Sequence, residues 1–270
     1  MERTIARLCK YIENSENIRI LFAVENGSRA WRLSSKDSDF DVRFVFVRDV
    51  KEYLKINKPV DVITYNYDKD GIPCSEHDKI FIDIVGFDLF KFCTLLHKSN
   101  PTCMEWLISD IVYYGEQNKV FREFAVKHFN PSTLFYHYKS MCKNNYLKYL
   151  KSHNLVTYKK YLYAFRGLIN AKWVITKKTI PPIIFTDALD DNEMRKIIPK
   201  EIIGYLKSMI ELKKQGKEKD IITNIPLLDH YIEDFIHNED DLNTFNGKTR
   251  QSAALNMLNN EIQNILLSKH

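Results

Sequence analysis

Gly27-Ser28, followed eleven residues later by Asp39-Phe40-Asp41, constrains this chain more than any other feature. Ahead of the pair lies Arg19-Ile20-Leu21-Phe22-Ala23-Val24, a short apolar run of strand type. Behind it, Asp41-Val42-Arg43-Phe44-Val45-Phe46-Val47 is rich in β-branched and aromatic residues. The layout predicts a strand, a Gly-Ser turn, a polar loop with a small apolar cluster, and a strand that opens on two carboxylates. Side chains alternate along a strand, so Asp39 and Asp41 share one face while Phe40, Val42, Phe44 and Phe46 take the other. Carboxylates on one face repel unless a cation lies between them, and hard divalent ions such as Mg²⁺ favour these oxygens. A Gly-Ser turn offers a backbone N–H and a hydroxyl to a phosphate. Together these are the parts needed for phosphoryl or nucleotidyl transfer.

The block resembles the signature of the DNA polymerase β nucleotidyltransferase superfamily: Gly-Ser, a short spacer, then Asp-x-Asp at the start of a strand. The stretch from Gly27 to Arg43 is similar to one branch in particular, the nucleotidyltransferases associated with bacterial and phage RNA repair. Further stretches fit that branch: Asp83-Ile84-Val85-Gly86-Phe87-Asp88, Lys98-Ser99-Asn100-Pro101 with Glu105-Trp106-Leu107, and Lys159-Lys160-Tyr161-Leu162-Tyr163-Ala164-Phe165-Arg166. The similarity covers roughly residues 1–185 and fades beyond. Arg32 stands where these proteins more often have glycine, and Phe87 where tryptophan is usual.

The resemblance implies a metal-dependent transfer of a nucleoside monophosphate from a nucleoside triphosphate such as ATP to a hydroxyl, with two Mg²⁺ or Mn²⁺ ions per site. RNA is the acceptor it favours. A protein or small-molecule acceptor is the rival, and an inactive nucleotide or RNA sensor is a third reading. Asp39, Asp41 and a third carboxylate would be the catalytic and metal-binding set. Two mid-strand aspartates compete for the third place, Asp83 and Asp61, and the resemblance favours Asp83. Asp83 interrupts an apolar run, where an unpaired carboxylate is costly.

Nucleotide-binding candidates around the turn are Gly27, Ser28, Arg29 and Ser38. Arg29 has two readings, a triphosphate contact or a partner for Asp37. Arg43 either holds the aspartates' charge in place or meets substrate. Asp37 suits a turn and Asp88 a helix N-cap. Lys159, Tyr163 and Arg166 are spaced to form one helix stripe. In the family, basic and aromatic side chains of the helical domain meet the nucleotide, which extends the candidates to these three and to Lys160, a competitor of Lys159. Tyr136, His137, Tyr138 and Lys139 form a second patch, in which His137 is a weak candidate base. Trp106 and Trp173 read as core.

Charge points the same way. The net value is +5, yet residues 118–178 alone hold 13 Lys or Arg against one acid, Glu123. A basic block of this kind suits an anionic ligand, a triphosphate alone or with nucleic acid. Five cysteines at 9, 74, 93, 103 and 142 match no zinc or disulfide spacing and read as reduced thiols. With no visible signal peptide and no bilayer-length apolar run, the expected setting is the cytoplasm, without a membrane partner.

The expected architecture is α+β. A small mixed sheet with flanking helices over 1–115 forms the catalytic domain, and an all-helical domain over 116–270 binds nucleotide and substrate. Strands are expected at 19–24, 41–47, 59–65 and 80–85, after a helix over 3–13. Helices are expected at 87–97 and 102–109, with a domain boundary at 110–117. Further helices follow at 118–129, 132–152, 156–178, 192–215, 226–236 and 249–267. Loops are expected at 68–79 and 238–247.

Overall fold

A computed structural model of the chain describes residues 1–75, 80–152, 155–217, 219–238 and 251–268. The fold is α+β, in two compact units. The first comprises residues 1–30 and 38–129 together with 251–268; the second comprises 31–37 and 130–238.

The first unit runs α1 (Glu2–Glu16), β1 (Arg19–Asn26), the single turn α2 (Gly27–Ala30), β2 (Phe40–Val47), α3 (Val50–Tyr53), β3 (Val62–Tyr67) and β4 (Ile82–Asp88). It continues through α4 (Leu89–His97), α5 (Pro101–Ile108), β5 (Val112–Gly115) and α6 (Lys119–His128). The sheet order is β3-β4-β2-β1-β5. β2 and β4 are parallel, and every other neighbouring pair is antiparallel.

The pleat assigns the two faces. Val42, Phe44 and Phe46 join Ala23, Ile82 and Ile84 in one buried cluster with Ile5, Cys9 and Ile12 of α1. No side chain caps the N-terminus of α1, so burial holds it, at roughly 1.5–3 kcal/mol per large apolar side chain. The alternate residues face α4 and α5, where Phe92 meets Phe22 and Trp106 meets Phe87. Asp41, Arg43 and Asp83 belong to this second face by the same alternation.

Helix starts follow from local chemistry. Asn100 and Asn130 each precede a proline, and their side chains accept the N–H of Thr102 and Thr133. The asparagine satisfies a donor that the helix cannot, and proline suits the first helical position. Asp88 caps α4 by accepting the Phe90 N–H at 2.9 Å.

The second unit holds α7 (Pro131–Tyr149), β6 (Leu155–Thr157), α8 (Tyr158–Lys177), α9 (Phe185–Asp190), α10 (Met194–Ile197), α11 (Lys200–Lys214), β7 (Ile221–Thr223) and α12 (Pro226–His237). α7 and α8 pack closely at Gly167, where a Cβ would lie 2.7 Å from the Cys142 nitrogen and 2.9 Å from the Tyr138 carbonyl oxygen. The last helix, α13 (Gln251–Leu267), returns to the first unit, where Asn118 donates to Glu261 at 2.6 Å.

Several boundaries differ from those the sequence predicts. Residues 112–115 are not a linker but the edge strand β5, paired with β1. The first unit consequently extends past residue 115: α6 stays with it through packing of Phe121 on Phe92, and α13 rejoins it. The predicted helix over 192–215 is broken at Pro199, which cannot donate to a preceding turn, giving α10 and α11. β6 and β7 pair Leu155–Thr157 with Ile221–Thr223, strands too short to show a period of two. Trp106 is core, but Trp173 is half-buried at the surface and donates to Thr179. Parts of both predicted loops, 76–79 and 239–247, lie outside the described residues. All five cysteines are free thiols. Among the described residues no helix is long and apolar enough to cross a membrane.

Candidate active site

β1 delivers the chain into a turn at Gly27, whose φ of 62° lies in the left-handed region that favours glycine. The position has a second requirement. A Cβ there would stand 1.9 Å from Asp41 Oδ2, so only a hydrogen leaves room for the carboxylate. Ser28 follows within α2 and is buried, as is Ser38 at the far end of the loop. Arg29 staples that far end: Nη2 donates to the Ser38 carbonyl at 2.6 Å and Nε to the Asp39 carbonyl at 3.1 Å. Its guanidinium lies 3.7 Å from the Phe40 ring centroid. These bonds run to the backbone of residues 38 and 39, beyond Asp37.

β2 and β4 pair in parallel with Asp41 in register with Asp83. Arg43 bridges the two. Its Nη2 lies 3.0 Å from Asp41 Oδ1 and 2.8 Å from Asp83 Oδ2, while Nη1 donates to the carbonyls of Val42 and Asp83, each at 2.9 Å. The two carboxylates are about one-third exposed and the arginine less so. Asp39 is exposed, immediately before the strand. Asp61, the other candidate for a third carboxylate, sits just before Val62, which pairs with Phe87 at the opposite end of β4. Its side chain is exposed and pairs with Lys91. Thus Asp83, and not Asp61, is beside Asp41.

Glu25, which the sequence reading passes over, underlies this arrangement. It is fully buried, and Oε1 accepts the Asp41 N–H at 2.8 Å while Oε2 accepts the Tyr113 hydroxyl. Its backbone is also held: the carbonyl accepts Ser109 Oγ–H at 2.6 Å, and the N–H donates to Ile111. Burial pushes the carboxyl from about 4.5 up to about 7, against the opposing pull of Tyr113 and the Asp41 amide. The available signal is a carboxylate at the end of an apolar run, with only Asn26 between it and Gly27-Ser28.

Asp39, Asp41 and Asp83 supply hard oxygen donors of the kind Mg²⁺ and Mn²⁺ take. Asp41 Oδ2, turned toward Gly27, is its oxygen that Arg43 does not hold. Among the described residues no three acidic, histidine or cysteine side chains gather closely enough to hold an ion by themselves. An ion held here would need its shell completed by substrate oxygens and water, the usual habit of Mg²⁺ at phosphates.

The remaining candidates lie on α8 in the second unit. Lys159 Nζ is 5.8 Å from the Tyr163 ring centroid, so those two share a stripe, whereas Lys160 Nζ is 3.5 Å from the ring of Tyr149 on α7. Arg166 is buried, its guanidinium 3.5 Å from the Trp31 ring centroid, and Trp31 also meets Tyr163 edge-on. The second patch divides: Tyr138 is core, Tyr136 and His137 are exposed, and Lys139 donates to the Asn238 carbonyl. Arg32, which replaces a usual glycine, adopts a left-handed φ of 58°.

Residues 1–261 match the family described as RlaP, RNA repair pathway DNA polymerase beta family. An uncharacterized protein, YcgL, of Bacillus subtilis (strain 168) is 37% identical over 238 residues, which cover 86% of this chain and 84% of that protein. A crystal structure of a nucleotidyltransferase-like protein from Exiguobacterium sibiricum 255-15 aligns over 97% of this chain and 78% of its own, at 11% identity. Its TM-score is 0.30. The chain belongs to the RNA repair pathway DNA polymerase beta family.

Proposed function

We propose that the protein is a metal-dependent nucleotidyltransferase that moves a nucleoside monophosphate from a nucleoside triphosphate to a hydroxyl of RNA. The observation that carries this reading is the Gly27-Ser28 turn packed against Asp41, with Asp83 in register on the neighbouring parallel strand. Mg²⁺ or Mn²⁺ held by Asp39 and Asp41 would neutralise charge on the triphosphate oxygens. The Gly27-Ser28 turn would hold a phosphate through its N–H groups and the Ser28 hydroxyl, with Ser38 at the loop's other end. Arg29 fixes that end by its backbone bonds.

Asp83 accepts the proton of the attacking hydroxyl in this scheme. The acceptor oxygen bonds to the α-phosphorus as the bond to the bridging oxygen breaks, and pyrophosphate leaves. Alignment of the attacking and leaving oxygens is the main task left to the protein. Lys159, Lys160 and Tyr163 enter as nucleotide contacts through family resemblance, while Arg166, a candidate on the same ground, is buried against Trp31. The preference for RNA rests on the family's RNA-repair character and on the basic 118–178 segment.

Incubation with each α-phosphate-labelled nucleoside triphosphate and total cellular RNA, with Mg²⁺ or with EDTA, tests the proposal. Label should enter RNA with Mg²⁺ and not with EDTA. Label in protein or small molecules alone would reassign the acceptor, and no incorporation from any nucleotide would remove the transferase reading.

A further inference from the structure

We propose that Arg43 is a resident cation of the site: it orients Asp41 and Asp83 and takes the place between them, so that the site holds one divalent ion rather than two. The inference rests on the metal-dependent reading above. Arg43 spends both terminal nitrogens on four acceptors within 3.0 Å: two carboxylate oxygens and two backbone carbonyls. Two of those acceptors are main-chain atoms of β2 and β4, so the guanidinium is fixed to the sheet itself. It is also largely shielded, with a side chain 15% exposed.

The consequence lies in Asp41. A carboxylate that bridges two ions must give one oxygen to each, and Asp41 has only Oδ2 uncommitted to Arg43, on the Gly27 side. That oxygen faces the phosphate turn and suits the ion that travels with a triphosphate. An ion shared by Asp41 and Asp83 would need oxygens at about 2.0–2.1 Å. Nη2 already occupies that position, at 3.0 and 2.8 Å from the two carboxylates. Guanidinium is always charged and planar, so it neutralises part of the carboxylate repulsion without being exchangeable. Arg43 touches neither substrate nor ion in this scheme and acts by positioning.

The test counts ions directly. Mn²⁺ is titrated into an equimolar complex of the full-length protein and a nonhydrolysable nucleoside triphosphate, and tight ions per complex are read by electron paramagnetic resonance. The unmodified protein should hold one. Arg43→Met should hold two, because the vacated space lies between two carboxylates that have lost their shared cation. Arg43→Lys should stay at one, since an ammonium keeps the charge. Two ions in the unmodified protein, or one in both it and a folded Arg43→Met, would overturn the role of Arg43 and leave the transferase reading intact. If Arg43→Met does not fold, the count in the unmodified protein decides alone. Mn²⁺ held no more tightly in the complex than by the analogue alone would instead overturn the metal-dependent reading.

Discussion

Asp41 Oδ2 occupies the space beside Gly27 that any side chain would need, 1.9 Å from the position of a Cβ. The phosphate turn and the carboxylate are thereby fixed against each other. Gly27→Ala should fail twice over: a left-handed alanine costs roughly 1–2 kcal/mol, and the carboxylate must move. A displacement of about 1 Å at a reacting centre can cost about 100-fold in rate. We expect kcat/KM to fall by about that factor while thermal unfolding shows a modest loss. Wild-type kinetics in Gly27→Ala would contradict the packing described.

Asp39→Asn and Asp41→Asn should both abolish transfer, yet they should differ in stability. Asp39 is exposed ahead of the strand, and its replacement should change unfolding by less than about 0.5 kcal/mol. Asp41 is half of the Arg43 bridge, so removing its charge should cost about 1 kcal/mol at a partly exposed pair. Thermal unfolding in EDTA measures both. Equal melting temperatures would show that the bridge contributes nothing to the empty site.

The two candidates for the third carboxylate separate cleanly. Asp83→Ala should eliminate turnover while preserving much of the nucleotide affinity, because Asp39 and Asp41 remain. Asp61→Ala loses an exposed pair with Lys91, worth at most about 1 kcal/mol, and should leave kcat within about twofold. Single-turnover kinetics alongside nucleotide binding would reveal the reverse pattern if Asp61 were the functional group.

Much of this site is legible in the sequence because its parts lie close together there. Gly27, Ser28, Asp39 and Asp41 fall within one strand–turn–strand unit, where a period of two and a turn residue carry the information. The Asp41–Arg43 half of the bridge is legible from their shared strand face, but its far end at Asp83 is not, because that depends on the parallel register of β2 with β4. Glu25 is hidden because a carboxylate at the end of an apolar run looks like the end of a strand, whereas its burial depends on Tyr113 arriving from β5. β5 itself reads as a linker. Pro199 is plain in the sequence, and the break it makes in the 192–215 helix follows from its missing N–H. The β6–β7 ribbon carries no signal that three residues could display.

Glu25 predicts a pH dependence of stability. Its folded value, near 7, exceeds the ordinary 4.5, so the folded protein binds the proton more tightly than the unfolded chain. The stabilisation is complete below about 4.5 and is lost as pH rises through 7, where a buried charge must form. A glutamine in its place can still accept the Asp41 N–H and carries no charge. In EDTA, Glu25→Gln should therefore gain stability relative to the native protein between pH 5 and 8, by a few kcal/mol at most. A difference independent of pH would show that Glu25 does not hold its proton in the fold.

The basic stripe of α8 contains side chains of two kinds, and substitution should separate them. Arg166 is buried with its guanidinium 3.5 Å from the Trp31 ring, so Arg166→Ala removes a desolvated cation–π contact worth about 2 kcal/mol along with its packing. We expect a lower melting temperature, with nucleotide binding following the loss of folded protein. Lys159 and Lys160 are half-buried, with their ammonium groups against Tyr163 and Tyr149. An exposed or half-exposed cation–π contact is worth less, about 0.5–1 kcal/mol, so their replacement should be milder for the fold. If they meet the triphosphate, Lys159→Ala and Lys160→Ala should each raise the KM for nucleotide about tenfold, equivalent to about 1.4 kcal/mol. A change in KM at constant kcat marks binding shared by ground and transition states, as expected for a phosphate remote from the reacting bond. Melting curves and initial rates on the three variants decide the matter. A raised KM in Arg166→Ala at an unchanged melting temperature would make that arginine the nucleotide contact and Trp31 its movable cover.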